Sequence, residues 1–90
     1  MKPYIICTGT NGRCVVFGYS PTEPVVGMAI TLHRARMVLY WAGADGLFGV
    51  AATGPAEGSR ITVAVEATTC TVRQALTVSD DAASALEAWE

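Results

Sequence analysis

The sequence predicts a mainly β member of the α+β class, with five to six strands in a small bent antiparallel sheet or partly open barrel. Short runs rich in β-branched and aromatic residues recur along most of the chain, and Asn, Gly and Pro residues separate them. One amphipathic segment closes the sequence and predicts a C-terminal helix over residues 80–89. The length of 90 residues predicts a single domain over residues 1–90.

The first strands form a predicted hairpin. Runs at residues 3–8 and 13–19 flank Asn11-Gly12, a dipeptide typical of a two-residue turn. This register pairs Cys7 with Val16 and places Cys7 and Cys14 on a diagonal of one face, about 7–8 Å apart and too far for a disulfide.

The middle and end of the chain continue the pattern. A proline-containing loop at 20–24 precedes predicted strands at 25–32 and 36–41, which meet at a corner formed by residues 33–35. Residues 46–53 fit either a strand or a short helix. The helix is favoured because Asp45 can cap its start and Gly54-Pro55 is a typical stop.

The last third predicts strands at 61–66 and 70–78 and then the C-terminal helix. Ser79 is a good N-cap residue for that helix, and two aspartates follow it at the positive end of the helix dipole.

The composition favours self-association. Hydrophobic residues make up 51% of the chain and charged residues only 16%, whereas about 25% charged residues is ordinary. A protein of this size exposes a large share of its surface. We therefore expect a homo-oligomer, and the alternative is that single alanines are scattered over the surface.

Several classes of function are not indicated. The net charge of −2 disfavours DNA or RNA as a partner. No apolar run is long enough for a membrane, and the start lacks the features of a signal peptide, so we expect a cytoplasmic protein. The three cysteines lack a CxxC spacing and are expected to be buried small hydrophobes without metal. His33 is the single histidine, so the sequence predicts neither an enzyme nor a cofactor, and a small nucleotide hydrolase using His33 or Glu57 is a third hypothesis.

Two stretches carry residues suited to binding a small anion. The first has an arginine and a tyrosine on one strand face and a tryptophan on the other, and arginine with aromatic rings is suited to a nucleotide. The second is the loop at 52–60, where glycines, hydroxyls and an arginine combine. The candidate ligand contacts are Arg36, Tyr40, Trp41, Thr53, Gly54, Gly58, Ser59 and Arg60. The alternatives are a tight loop with Arg60 paired to Glu57, and a Tyr40-Trp41 strand end that lies in the core or at a subunit contact.

Three sequence blocks carry a resemblance to a known family. Residues 34–41 (RARMVLYW), 51–55 (AATGP) and 58–61 (GSRI) together resemble a family of short tailed-phage and prophage proteins with a domain of unknown function. The resemblance covers about residues 31–90, and it implies a viral accessory protein in the host bacterial cytoplasm without catalytic residues.

Small oligomeric phage proteins of this kind are similar in style to sponges that sequester nucleotide second messengers of bacterial immunity. We therefore expect a homo-oligomer that binds such a nucleotide without catalysis. The alternative is an accessory protein that binds a host protein or other virion components.

Overall fold

The computed structural model describes residues 1–90, which form six strands and two helices and confirm the predicted mainly β architecture. The strands form one antiparallel sheet in the order β4-β3-β2-β1-β6, and β5 pairs with β3. The elements in chain order are β1 (Lys2–Thr8), β2 (Cys14–Ser20), β3 (Ala29–Tyr40), α1 (Gly46–Thr53), β4 (Arg60–Ile61), β5 (Val65–Thr71), β6 (Gln74–Thr77) and α2 (Asp80–Ala88).

The sheet is open but strongly bent. β5 pairs with β3 and β6 pairs with β1, although only Val72 and Arg73 separate β5 from β6 along the chain. The two sides of the sheet must therefore approach each other. Val72 N–H donates to the Met28 carbonyl and Arg73 N–H donates to the Cys7 carbonyl, each at 2.9 Å, which fixes the junction to both sides.

The bent sheet buries side chains on both of its faces. On one face, alternate residues of β1 and β2 such as Ile5 and Phe17 pack against α1 and α2 in what we call the helix-side core. On the other face the intervening residues, including Ile6 and Val16, form a second cluster that we call the inner core. Because β1 and β2 are buried on both faces, their sequences are continuous apolar runs, and part of the high apolar content serves the interior.

A bulge bends β3 where the sequence predicted a corner between two strands. Phe17 pairs with Arg36 but Tyr19 pairs with His33, so Arg34 and Ala35 together lie opposite Gly18. The φ angle of Arg34 is 51°, in the left-handed region. In a regular strand Leu32 and Ala35, three positions apart, would face opposite sides of the sheet. The extra residue at the bulge puts both of them on the inner core. β3 is therefore one bent strand, and the prediction of two strands was wrong in this respect.

Glycine at position 18 makes that bulge sterically feasible. A Cβ atom at Gly18 would lie 2.7 Å from the Leu32 Cβ and 3.2 Å from the His33 carbonyl oxygen. No carbon atom is accommodated at 2.7 Å in a well-packed interior. The bend of β3 therefore depends on the missing side chain of the neighbouring strand.

The β1–β2 hairpin is confirmed, but its predicted turn is wrong. The last pair is Thr8 with Cys14, so residues 9–13 form the loop, closed by a bond from Gly12 N–H to the Gly9 carbonyl. This register pairs Cys7 with Val15. Cys7 therefore faces the helix-side core, and Cys14 packs against the inner core on the opposite face.

All three cysteines are free thiols, although not all of them are fully buried. Cys7 is buried as predicted, whereas Cys14 and Cys70 are half-buried. Burial raises the pKa of the Cys7 and Cys70 thiols above the ordinary value of 9.0.

Two of the predicted strand boundaries also differ. Residues 25–28 form a turn and not the start of β3, because Met28 N–H bonds back to the Val25 carbonyl and Gly27 has a φ of 88°. This is the geometry of a type II turn with glycine at its third position. The strand predicted over 70–78 is interrupted at Val72 and Arg73, where the chain passes from β3 to β1.

Both predicted helices are present and pack together. Ser79 caps α2 as expected, since its Oγ accepts from Ala82 N–H at 3.1 Å. Asp45 stands at the N-cap of α1 but makes no side-chain cap bond. Gly54 ends α1 with a φ of 99°, and its added Cβ would lie 2.9 Å from the Ala85 Cβ of α2. The two helices thus approach closely at Gly54.

Candidate functional site

Arg36 is buried and holds the end of α2 against the sheet. Its Nε donates to the Thr62 carbonyl at 2.7 Å, and its Nη1 donates to the Leu86 and Glu87 carbonyls at 2.7 and 3.0 Å. Nη2 donates to the Trp89 carbonyl at 2.7 Å. Each guanidinium nitrogen is therefore engaged by backbone oxygens. The cation also lies at the negative end of the helix dipole, which has no basic residue of its own in the last turn.

This geometry argues against the ligand contact that the sequence predicted at Arg36. A ligand anion would have to displace the carbonyl oxygens at the C-terminal end of α2, and these oxygens would then lose their donor. Only 8% of Arg36 is exposed. We therefore assign Arg36 a structural role in fixing α2.

Arg34 makes a second, weaker contact with the same helix end. Its Nη1 lies 2.8 Å from Glu87 Oε1, and its guanidinium carbon lies 4.1 Å from the centre of the Tyr19 ring. Burial, followed by the nearby Glu87 carboxylate, raises the pKa of Tyr19. The ion pair is largely exposed, so it adds little to stability.

The hydroxyls and glycines of residues 53–59 stabilise the local structure. Ser59 is buried, and its Oγ accepts from Ala42 N–H at 3.1 Å. Thr53 Oγ1 donates to the Gly49 carbonyl at 2.9 Å within α1. Gly58 has a φ of 93°, which favours glycine, and its neighbour Ser59 closes the turn through its own N–H. The hydroxyls of Ser59 and Thr53 are therefore used in bonds within the chain.

Two of the predicted ligand contacts are exposed and adjacent. Tyr40 on β3 and Arg60 on β4 are paired across the two strands, and Tyr40 is 56% exposed. The Arg60 guanidinium is exposed and has neither a hydrogen bond nor an ion pair within the chain, so the alternative pairing with Glu57 is absent. Trp41 follows Tyr40 but is half-buried against the helix-side core.

The main cavities of the single chain lie away from Tyr40 and Arg60. A cavity of about 150 Å³ beside the 53–59 loop is lined by residues that include Asp45, whose carboxylate would repel an anion. A larger cavity, of about 570 Å³, lies beside β6 and is lined by Lys2 together with the acidic Glu23 and Asp80. Neither cavity includes Tyr40 or Arg60. Nucleotide-sized ligands need pockets of about 300–1,000 Å³, so one chain alone does not enclose such a ligand at this pair.

Comparison with known families gives the family of the chain. A family model described as "Domain of unknown function (DUF6948)" matches residues 1–89. The chain belongs to the DUF6948 family. No curated protein and no solved structure matches this DUF6948 protein. No helix of the structure is both long enough and apolar enough to cross a membrane.

Sequence reasoning missed two features of this DUF6948 protein. It took residues 25–28 for the start of a strand, whereas Val25, Val26 and Met28 lie 60–70% exposed on a turn. The signal was available, because glycine as the third residue of the tetrapeptide VVGM is typical of a type II turn. It also missed the unpaired edge of β5, for which the sequence holds no direct signal, because strand pairing depends on the whole topology.

Proposed function

We propose that this protein is a non-catalytic binding protein that works as a homo-oligomer and sequesters a nucleotide-like small anion. The observation that carries the proposal is the pair of Arg60 and Tyr40, an unpaired exposed guanidinium beside an exposed phenol ring on neighbouring strands. A guanidinium binds phosphate through two parallel hydrogen bonds, and a ring can stack on a base.

The ligand set is smaller than the sequence alone suggests. Arg36, Ser59 and Gly54 hold helices and loops together through the contacts described above. Thr53 bonds within α1, Trp41 packs against the helix-side core, and Gly58 forms a turn. The proposal therefore rests on Arg60 for the charge and on Tyr40 for stacking.

Oligomerisation is part of the proposal because the pair lies on an open surface. Leu39 beside Tyr40 is 59% exposed, and Met37 and Val63 near the same strand are 39% and 80% exposed. Large apolar side chains grouped in this way are typical of contact surfaces. A neighbouring copy that covers such side chains would turn the open pair into the wall of a pocket.

The family resemblance supplies the biological setting of the proposal. A phage accessory protein in the host bacterial cytoplasm that removes an immune second messenger needs tight binding and no turnover. Cyclic dinucleotides and nucleotides derived from ADP-ribose are therefore the ligands to test.

Thermal unfolding with a panel of these nucleotides tests the proposal. A ligand at about 100 times its Kd adds about 2.7 kcal/mol, which for a domain of this size raises Tm by about 10–20 °C. We expect Arg60→Ala to remove the shift and Arg60→Lys to restore little of it, because an ammonium lacks the planar fork. Arg13→Ala is the matched control, since Arg13 is also exposed and unpaired but lies in the β1–β2 loop.

Two results would overturn this proposal. One is the absence of a Tm shift with every nucleotide of the panel. The other is a shift that Arg60→Ala leaves intact. In the second case Tyr40→Ala and Tyr40→Phe would show whether the ring alone binds the ligand.

The exposed turn at residues 25–28 favours a second candidate function, that of a protein-binding accessory. Val25, Val26 and Met28 present apolar side chains to solvent without a core function. Here a host protein or virion component would bind the turn, and the arginines would only surround the contact. Retention of a stoichiometric host protein after removal of nucleotides, lost in Val26→Ser and kept in Arg60→Ala, would support this candidate over the first.

A further inference from the structure

The free edge of β5 is the longest unpaired strand edge of the protein. β5 spans seven residues and pairs along one edge with β3 from Val65 to Thr71. Outside that ladder, no backbone bond involves a residue of β5, and no side chain bonds to its backbone. The outward N–H and C=O groups of the strand therefore have no partner within the chain.

This edge also lacks the features that usually prevent two sheets from joining. It contains no lysine, no proline and no bulge, and its pairing with β3 runs without a register shift. Glu66 is its only charged residue. Natural proteins block exposed edges with such features, and an edge without them favours pairing with another strand.

We propose that two copies of this chain pair antiparallel through their β5 edges about a two-fold axis at Thr68. The proposal rests on the homo-oligomer of the proposed function and adds to it a contact along β5, separate from the Met37 and Leu39 side chains beside Tyr40. A two-fold axis there sets Thr68 opposite Thr68 of the partner subunit. Glu66 then lies opposite Cys70 of the partner subunit, so that the only charge on the strand never faces its own copy.

The apolar side chains at the two ends of β5 are complementary under this axis. At the start of the strand, Val63 and Val65 are 80% and 51% exposed. At its end lies the exposed turn of residues 25–28, which is fixed there because Gly27 N–H donates to the Val72 carbonyl at 2.8 Å. An antiparallel arrangement places the start of one β5 beside the end of the other. Both apolar patches, at the two ends of β5, are then covered at once.

The contact is long in relation to the molecule. Seven residues of strand extend over about 23 Å, whereas the longest dimension of the protein is 32 Å. The contact thus runs along most of the molecule. It joins two bent sheets into one continuous sheet, and the hydrogen bonds along it fix the register.

Cysteine cross-linking across the axis tests the proposed register. In a background with Cys14 and Cys70 replaced by alanine, Thr68→Cys places two thiols opposite each other within disulfide distance. We expect oxidation to convert most of this variant to a covalent dimer. The matched control is Thr77→Cys, an exposed threonine on β6 at the other side of the sheet, which we expect to stay monomeric under denaturing conditions.

A charge placed on the edge tests the same contact without covalent chemistry. We expect Val65→Lys to raise the Kd of the dimer at least about tenfold, or about 1.4 kcal/mol, as measured by sedimentation. Phe48→Lys is its control, because Phe48 is 66% exposed on α1 and lies away from β5.

The outcomes separate this interface from the proposed function. A native dimer that neither cross-links at Thr68→Cys nor weakens in Val65→Lys overturns the β5 contact and leaves ligand binding by Arg60 intact. A native protein that stays monomeric at all concentrations also overturns it. Cross-linking at Thr68→Cys together with the absence of any nucleotide shift supports the contact and overturns the proposed ligand.

Discussion

Replacement of Arg36 by alanine should loosen α2 and destabilise the whole domain. The guanidinium donates to four carbonyl oxygens, of which the Leu86 oxygen lies in a fully buried bond. A buried acceptor that loses its donor costs about 1–3 kcal/mol, and the lost packing of the side chain stem adds about 1 kcal/mol. The other three acceptors are partly buried and can bind water in the variant. The expected loss is therefore about 2–4 kcal/mol in the free energy of unfolding.

Urea unfolding at a fixed protein concentration measures this loss. For a protein of this size the slope is about 1 kcal/mol/M, so the midpoint should fall by about 2–4 M. Arg36→Lys should recover part of the stability, since an ammonium can donate to one or two of the same oxygens. Hydrogen exchange adds a local measurement. In Arg36→Ala the α2 amides should lose more of their protection than the β1 amides.

Arg13→Ala is the control for loss of charge alone. Arg13 is exposed and makes no side-chain bond, so its removal should change the unfolding free energy by no more than about 0.5 kcal/mol. If Arg36→Ala also stays within about 0.5 kcal/mol of the native protein, the guanidinium does not hold α2 and the structural role assigned to it is wrong.

Three further predictions follow from single contacts. Gly18→Ala should cost about 1–3 kcal/mol in urea unfolding, because its Cβ would lie 2.7 Å from the Leu32 Cβ at the β3 bulge, and an unchanged midpoint would contradict the packing described there. Ser59→Ala should cost about 1 kcal/mol, because the Ala42 N–H loses its acceptor inside the loop, whereas Ser59→Thr should retain that bond if the hydroxyl is what matters. Stability should fall as the pH rises above 9, since burial raises the pKa of Cys7 above its ordinary value of 9.0 and the unfolded chain loses its thiol proton first. Cys7→Ala should lessen that alkaline loss and leave the pH dependence below 8 unchanged, and an identical alkaline loss in the variant would exclude this thiol as its source.

The sequence was sufficient for the elements that local chemistry determines. The hairpin, α1 and α2 were predicted because a turn dipeptide, a Gly-Pro stop and an N-cap serine act within a few residues of themselves. The sequence was not sufficient to predict the register of the hairpin. Its loop runs from residue 9 to residue 13, since packing of Cys7 and Val15 into the helix-side core determines which residues pair.

In the candidate site, too, residue types could be read from the sequence but the contacts that they make could not. Arginine, tyrosine and serine at these positions suggested a ligand, and the sequence could not distinguish a ligand phosphate from a helix carbonyl as the acceptor. Arg36 and Leu86 are 50 positions apart, so only the folded chain shows that the end of α2 is the acceptor. Arg60 remains a candidate ligand contact, because β4 lies at the edge of the sheet and the Arg60 guanidinium has no acceptor within the chain.

The apolar composition has two separate physical origins, and only one of them concerns a partner. β1 and β2 account for a large part of it, because the bent sheet buries both of their faces. Half of the large apolar side chains that remain exposed lie at the ends of β5, with Val63 and Val65 at one end and the turn of residues 25–28 at the other. If the apolar excess were only alanines scattered over the surface, apolar patches would not lie at both ends of a strand edge that lacks hydrogen-bond partners. The excess therefore argues for association along β5 in particular, which is the contact that Thr68→Cys and Val65→Lys examine.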